Sequence, residues 1–368
     1  MHLALAKRNE KIKVMLEEFY SKAIDKHIEI DESKYKISLD ELFSTNIWGY
    51  REVMLVVIVA MKLDDNFKAS TGLYDCNPRS IFEGPIKEFF LEKRIPHRQS
   101  GPLNIAKATK GLNENWAAQR RPYYVANEVV SLIKYLESAK KNNLEQIDNF
   151  GISIMRRFIA VAEEIKSLEV KIEPNSDPEF LFSLCKELIE KTPDIGNTPQ
   201  RIATLLLKNY HASRKSSVVV TGGTDRASTT STTSKKPGDV NEESIDGHIY
   251  KVYEITVKKF DLARIRDSYS CISTYNRETS TNIHEIVVIC RNEDCPADIS
   301  KSGLHGYLGN YSYQDVQYFY VDIFEWISNL LIQMTSGGRA YFYNDISNYI
   351  NDINTSKKVK ALWKKMHE

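Results

Sequence analysis

Cysteine is scarce in this chain: five in 368 residues (Cys76, Cys185, Cys271, Cys290 and Cys295), with no Cys-x-x-Cys pair and no His or Cys partner at zinc-finger spacing. That excludes a disulfide-stapled scaffold and gives no ground for a structural zinc site, so reduced, buried thiols are expected. An excess of one charge is missing as well. Lys and Arg number 50 against 49 Asp and Glu, a formal net charge of +1, and no global field advertises a nucleic acid or a membrane. A local basic cleft can still bind a phosphate backbone while acidic faces balance the total. Long hydrophobic runs are absent. The strongest, VMLVVIVAM at residues 53–61, falls short of the roughly 20 residues that span a bilayer. The opening MHLALAKRNEK carries too short an apolar run for a signal peptide, so a soluble cytoplasmic protein is expected. No GKS/GKT loop, GxGxxG, GxSxG or HExxH occurs, which removes helicases, ATPases and the common serine and zinc hydrolases.

What is present is a chain long enough for two domains. Residues 9–61 read as helical, with Ile12, Met15, Leu16, Phe19 and Ala23 at helical spacing. The run 53–61 fits either a buried helix or a buried strand, because a short apolar run does not settle period. The next segment combines turn formers with basic and aromatic residues: PRSIFEGPIKEFFLEKRIPHRQSGPLNIAKATKGLNENWAAQRRP. Helices are predicted over residues 85–93, 104–107, 124–140 and 151–169. A polar, proline-bearing boundary at 171–179 divides the chain into a helical, turn-rich region (1–175), expected to hold the recognition contacts, and a second domain (176–368), expected to hold the chemistry argued below. Two helices follow, at 179–191 and 198–210, and then a low-complexity flexible loop at 212–236. Beyond it come strands at 240–243 and 249–258 around the Asp246-Gly247 hairpin signal, a helix over 261–275 capped by Asp261, a strand at 284–291, a strand or edge at 317–322, a helix at 324–334, and a helical, basic tail at 345–366. The fold class is α/β (α+β), a mixed sheet flanked by helices behind a helical N-terminal region.

The chemistry lies in PGDVNEESIDGHIYKVYEITVKKFDLARIRDS. Asp239 opens one strand, and the hairpin can lay it beside the strand bearing Glu254. Alternation puts Glu254, Thr256 and Lys258 on one face. Two carboxylates on neighbouring strands suit Mg2+, a hard cation that takes few protein oxygens and keeps several waters. Lysine beside them steadies the attacking water or the phosphate charge.

The order helix, Asp strand, hairpin, Glu strand, helix, strand, together with the texture SKKPGDV … YEITVKKFDLARIRDS, resembles the PD-(D/E)XK nuclease core and, within it, bacterial type II restriction endonucleases. The resemblance runs from residue 179 to the C-terminal end. It implies a PD-(D/E)XK-like core, Asp239 and Glu254 as metal acids, double-stranded DNA as substrate, site-specific phosphodiester hydrolysis and a homodimer. The chain departs from the pattern at Thr256, where the family has lysine. Lys258 lies about 13 Å along an ideal strand from Glu254 rather than about 6.6 Å, and Lys235 or Lys236 could supply the charge instead. Candidate DNA contacts are Arg79, Arg98, Gln99, Ser100, Asn104, Lys107, Arg120, Arg121, Lys235 and Lys236, since Arg reads guanine, Asn and Gln read adenine, and Lys and Ser hold phosphate. Trp116 reads as a core anchor. Two alternatives stay open: an inert DNA-binding protein on a nuclease-like fold, favoured by Thr256, and a nuclease for modified or structured DNA.

Overall fold

The computed structural model describes residues 2–98, 101–107, 109–223, 236–296 and 298–368. The chain divides into two compact units, Met1–Ser167 and Leu168–Glu368. The break falls just ahead of the polar stretch 171–179, because Val170 is already held in the second unit: its carbonyl and N–H both bond Asn351, at 3.0 and 3.4 Å.

Among the described residues of the first unit the regular elements are all helices, joined by turns and irregular segments. Its long helices are α1 (His2–Ile24), α2 (Lys36–Ser44), α3 (Gly49–Leu63), α4 (Tyr123–Asn142) and α5 (Glu145–Lys166), with short helical turns between α3 and α4. The apolar run 53–61 is helix, and every residue of it is buried. A helix apolar on all sides belongs in a core, and α2, α4, α5 and the short helix Gly101–Ala106 pack on α3. The expected helix at 85–93 begins instead as a distorted turn at Phe82–Ile86, kinked at Gly84 with Pro85 inside it, and becomes regular only over Lys87–Glu92. Proline removes one donor and pushes back the preceding turn, which accounts for the kink.

The second unit is a mixed sheet between helices. Helices α6 (Pro178–Lys191) and α7 (Asn197–Ser213) come first, then β1 (Val219–Thr221), β2 (Val240–Glu243), β3 (Ile249–Ile255), α8 (Leu262–Thr279) and β4 (Glu285–Cys290). Strands β5 (Ser300–Lys301), β6 (Tyr307–Tyr313) and β7 (Val316–Asp322) follow, and α9 (Ile323–Gln333), α10 (Ser336–Asn351) and α11 (Lys357–His367) close the chain. The strand order is β1-β2-β3-β4-β7-β6-β5, with short strands at both edges. Strands β1 to β3 form an antiparallel meander, β3, β4 and β7 run parallel, and β7, β6 and β5 return antiparallel. Helix α8 is the crossover that a parallel β3–β4 pair needs.

Alternation sorts the sheet's two faces. Val240, Tyr253, Ile255 and Ile289 enter a core that also holds buried residues of α6, α7 and α9 to α11. Val252, Val288, Tyr318 and Tyr320 enter a second core with Ile265 and Ile272 of α8. Three expectations are corrected here. Residues 219–221, expected to be loop, pair with β2 as a strand. The tail at 345–366 is two helices, broken between Asn351 and Lys357. The strand expected over 249–258 ends at Ile255.

The approach of β1 to β2 depends on Gly222. Its φ is +100°, and a Cβ there would stand 2.3 Å from the backbone oxygen of Asp239. Left-handed backbone alone costs an L-residue roughly 1–2 kcal/mol, and the contact adds to it. Gly222→Ala is therefore expected to lower the unfolding free energy by at least that amount, seen as a lower urea midpoint with the m-value unchanged; a wild-type midpoint would show that β1 is not held this closely.

Candidate active site

Asp239 precedes β2 by one residue, and Glu254 is the penultimate residue of β3. Val240 pairs with Tyr253 and Asn241 with Val252, so the next step of the register sets Asp239 opposite Glu254. Both fall on the sheet face covered by α8. One Asp239 carboxylate oxygen accepts from the Ile255 N–H at 3.0 Å, and Ser268 Oγ on α8 donates to Glu254 at 3.1 Å. The two carboxyls also hydrogen-bond each other. Desolvation raises both pKa values. Glu254 is pushed up to about 8, first by burial and then by the charge of Asp239. Sharing one proton between them relieves the repulsion that two ionised carboxylates would suffer here. Glu254 is buried and Asp239 only half-buried, which leaves the pair approachable from the Asp239 side.

The cation facing this pair is one the sequence reading did not place there. Arg264, in the first turn of α8, acts electrostatically on both carboxyls and favours their charged forms. Its Nη1 donates to Thr256 Oγ1 at 2.5 Å, and its guanidinium lies 4.9 Å from the Phe260 ring centroid. Asp261 caps α8 by accepting from the Arg264 N–H at 3.1 Å, which fixes where the first turn begins. Arg264 and Ser268 are four apart, one helical turn on the same face. That spacing behind the Glu strand was the available signal.

Thr256 and Lys258 do not share a strand face with Glu254. After one more bond to β4, Thr256 N–H to Ile289 O at 3.0 Å, the chain turns. Thr256 Oγ1 accepts from the Lys258 N–H at 3.0 Å and donates to the Lys258 carbonyl at 2.9 Å. A hydroxyl that bonds nearby backbone competes with the sheet ladder, and here it ends the strand. Lys258 is consequently exposed on a turn. Lys236 is half-buried just before Asp239, and Lys235 lies outside the described residues.

The donor set suits a hard cation. Around Asp239 the buried amide oxygens of Gln200 and Asn241 have no hydrogen-bond partner. The Gln200 Nε2 reaches the Asp239 carbonyl at 3.4 Å, and Asn241 follows Asp239 on the same face. Among the described residues no group of three or more His, Cys, Asp or Glu converges. Asp239 and Glu254 are thus the carboxylates a cation would find here, enough for Mg2+ with its retained waters.

The candidate DNA contacts lie in the first unit. The opening turns of α3 gather several of them. Glu52 accepts from the Arg98 N–H at 2.7 Å, and Tyr50 donates to the Arg121 carbonyl at 3.2 Å. Arg98 stacks 5.0 Å from the Trp48 centroid and reaches the Asn46 carbonyl at 3.3 Å. Asn104 and Lys107 are exposed on and just after the short helix Gly101–Ala106, which packs on α3. Arg120 is half-buried and Arg121 exposed. Arg79 sits apart from them on the short helix Pro78–Ile81, paired with Glu83 at 3.3 Å. Gln99 and Ser100 lie outside the described residues. Trp116 is buried and donates to the Ile105 carbonyl at 2.9 Å, as a core anchor does.

The raised carboxyls make stability depend on pH. Below the ordinary carboxylate value of 4.5, Glu254 is protonated whether the chain is folded or not. As pH rises the unfolded chain ionises first, so stability falls until pH passes about 8. In EDTA the metal-free protein is expected to lose on the order of a few kcal/mol across that window, and Glu254→Gln is expected to flatten the slope. Equal slopes for the two proteins in urea titrations would contradict this.

Comparison with protein-family models and with curated proteins finds no match for this chain.

Proposed function

We propose that the chain is a magnesium-dependent endonuclease for double-stranded DNA, of the type II, site-specific kind. The observation that carries this reading is the pair Asp239 and Glu254, set opposite each other across β2 and β3, sharing one proton and facing Arg264. Such a pair costs stability and is retained where it has work to do. Its setting, a helix, an antiparallel meander, a crossover helix and a parallel strand, agrees with the arrangement that the resemblance to PD-(D/E)XK nucleases implies.

Asp239 and Glu254 would hold the magnesium. When bound, the ion supplies Lewis-acid activation of water and stabilises charge on the phosphate. The chain's own groups do the rest. The pair gives up its shared proton so that both carboxylates can bind a cation, and Ser268 keeps the Glu254 carboxylate in place. Arg264, steered by Thr256 and stacked on Phe260, carries the fixed positive charge that the family draws from lysine at the position of Thr256. A guanidinium donates in a planar fork suited to phosphate oxygens. Water adds across the scissile P–O bond. In the first unit, Arg98, Asn104, Lys107, Arg120 and Arg121 supply groups that read base edges and hold phosphates. A homodimer would match a palindromic site.

A second reading, an inert DNA-binding protein on the same fold, has Thr256 in its favour. Incubation with unmethylated phage DNA, in magnesium and in EDTA, separates the two. The nuclease reading expects a discrete fragment ladder in magnesium alone; DNA bound and left intact favours the inert reading or a requirement for modified DNA. Asp239→Asn and Glu254→Gln are expected to abolish cleavage and keep sequence-specific binding. Arg264→Ala is expected to slow cleavage about 10²–10³-fold, the usual loss for one charge-stabilising donor, with partial recovery in Arg264→Lys. Full cleavage by both carboxyl variants would sink the assignment.

A further inference from the structure

Strand β4 ends at Cys290, and a single 3-10 turn at Asn292–Asp294 brings Cys295 back against it. The two sulfurs stand 3.7 Å apart. Of the other cysteines, Cys76 lies in the first unit, Cys185 on α6 and Cys271 on α8. We propose that Cys290 and Cys295 are a reversible thiol-oxidation site, which a peroxide converts to a disulfide.

Closure to the disulfide S–S length of about 2.05 Å needs less than about 2 Å of approach, and the segment between the cysteines is a single short 3-10 turn. The two thiols have distinct positions. Cys290 is fully buried, while Cys295 is only partly covered, so an oxidant in solution meets Cys295 first. The hydrogen bond from Cys290 holds the Cys295 thiol below its ordinary pKa, against burial and the negative charges of Asp294, Asp322 and Glu293. The exposed partner is thus the better nucleophile. The Cys295 thiolate attacks one peroxide oxygen, breaking the O–O bond, and with one proton the departing oxygen leaves as water. The sulfenic acid so formed is attacked by the Cys290 sulfur; its S–O bond breaks, the hydroxyl leaves as a second water with the Cys290 proton, and the S–S bond forms. Two electrons pass from the two sulfurs to one peroxide.

The turn is also tied to the segment that follows Glu254. Arg291 grips Asp294 through Nε at 2.6 Å and Nη2 at 3.1 Å, and Nη2 also donates to the Val257 carbonyl at 3.0 Å. The Phe260 N–H donates to the Asp294 carbonyl at 2.9 Å. A bond closing between residues 290 and 295 therefore acts on the loop at 257–260. The oxidation site itself does not depend on the nuclease reading.

The test treats the full-length protein with hydrogen peroxide, alkylates free thiols and maps the digest by mass. Expected is a peptide linking Cys290 to Cys295, short of two hydrogens, with two fewer alkylated cysteines and full reversal by dithiothreitol. Cys295→Ser removes the link, and Cys271→Ser keeps it. Both thiols still alkylated after oxidation, Cys295 carried to sulfinic acid without a link, or a link to any other cysteine would overturn the site. Hydrogen exchange at the Phe260 amide is expected to differ between the oxidised and reduced forms; identical exchange would overturn the coupling to the loop.

Discussion

Two carboxyl groups facing each other across an antiparallel strand pair, one of them buried, set the terms for the second unit. Like charges at that spacing cannot both ionise without compensation, and every group around them answers that constraint. The proton shared by the pair, the Ile255 N–H on Asp239, the Ser268 hydroxyl and the Arg264 guanidinium each reduce the electrostatic cost. The backbone conforms as well. Gly222 brings β1 against the Asp239 carbonyl, and Gly238 lies so near β3 that a Cβ there would meet Val252 at 2.5 Å. Glycine stands both just after β1 and just before β2, where the backbones close on one another beside the acids.

The same logic operates differently in the first unit. There the opening turns of α3 carry Tyr50, Arg51 and Glu52, all buried. The Tyr50 hydroxyl donates to the backbone of Arg121, and one Glu52 carboxylate oxygen accepts from that of Arg98. They hold two turn-rich segments in place without regular structure, and loops that carry function are commonly positioned from a rigid scaffold in this way. Arg51 remains among the rings of Phe43, Trp48 and Phe158, at 5.1, 4.5 and 5.7 Å. There burial lowers its pKa to about 10.

Much of this was legible in the residues. Helical periodicity placed α6, α7 and α9 closely, and Asp246-Gly247 marked the β2–β3 hairpin, where Gly247 has φ +87°. The apolar run of β4, mostly buried, marked that strand as continuous hydrophobic sequence does, and the aromatic alternation of β7 marked the other. Where the reading went astray, a local interaction competed with the pattern. Thr256 looked like a strand residue by alternation, yet its hydroxyl turns the chain and carries Lys258 into solvent. Residues 219–221 were hidden by the polar, low-complexity sequence around them, and β6, rich in Tyr, Gly and Ser, lacks the apolar alternation that marks a half-buried strand. Arg264 was visible as a basic helix residue one turn ahead of Ser268, but its place opposite the carboxyls also depends on how α8 crosses the sheet.

The outer strands of the sheet are short: β1 has three residues and β5 two. A strand edge that brief offers almost no unpaired backbone for another chain to template upon, and truncated edges are a known defence against sheet-to-sheet growth. Among the described residues, then, self-association by continuing the sheet from one copy into the next is disfavoured. Any two-fold partner would be recognised through side chains on helices and loops, so a change in a few surface residues could alter subunit pairing while leaving the strand order and the carboxyl pair intact.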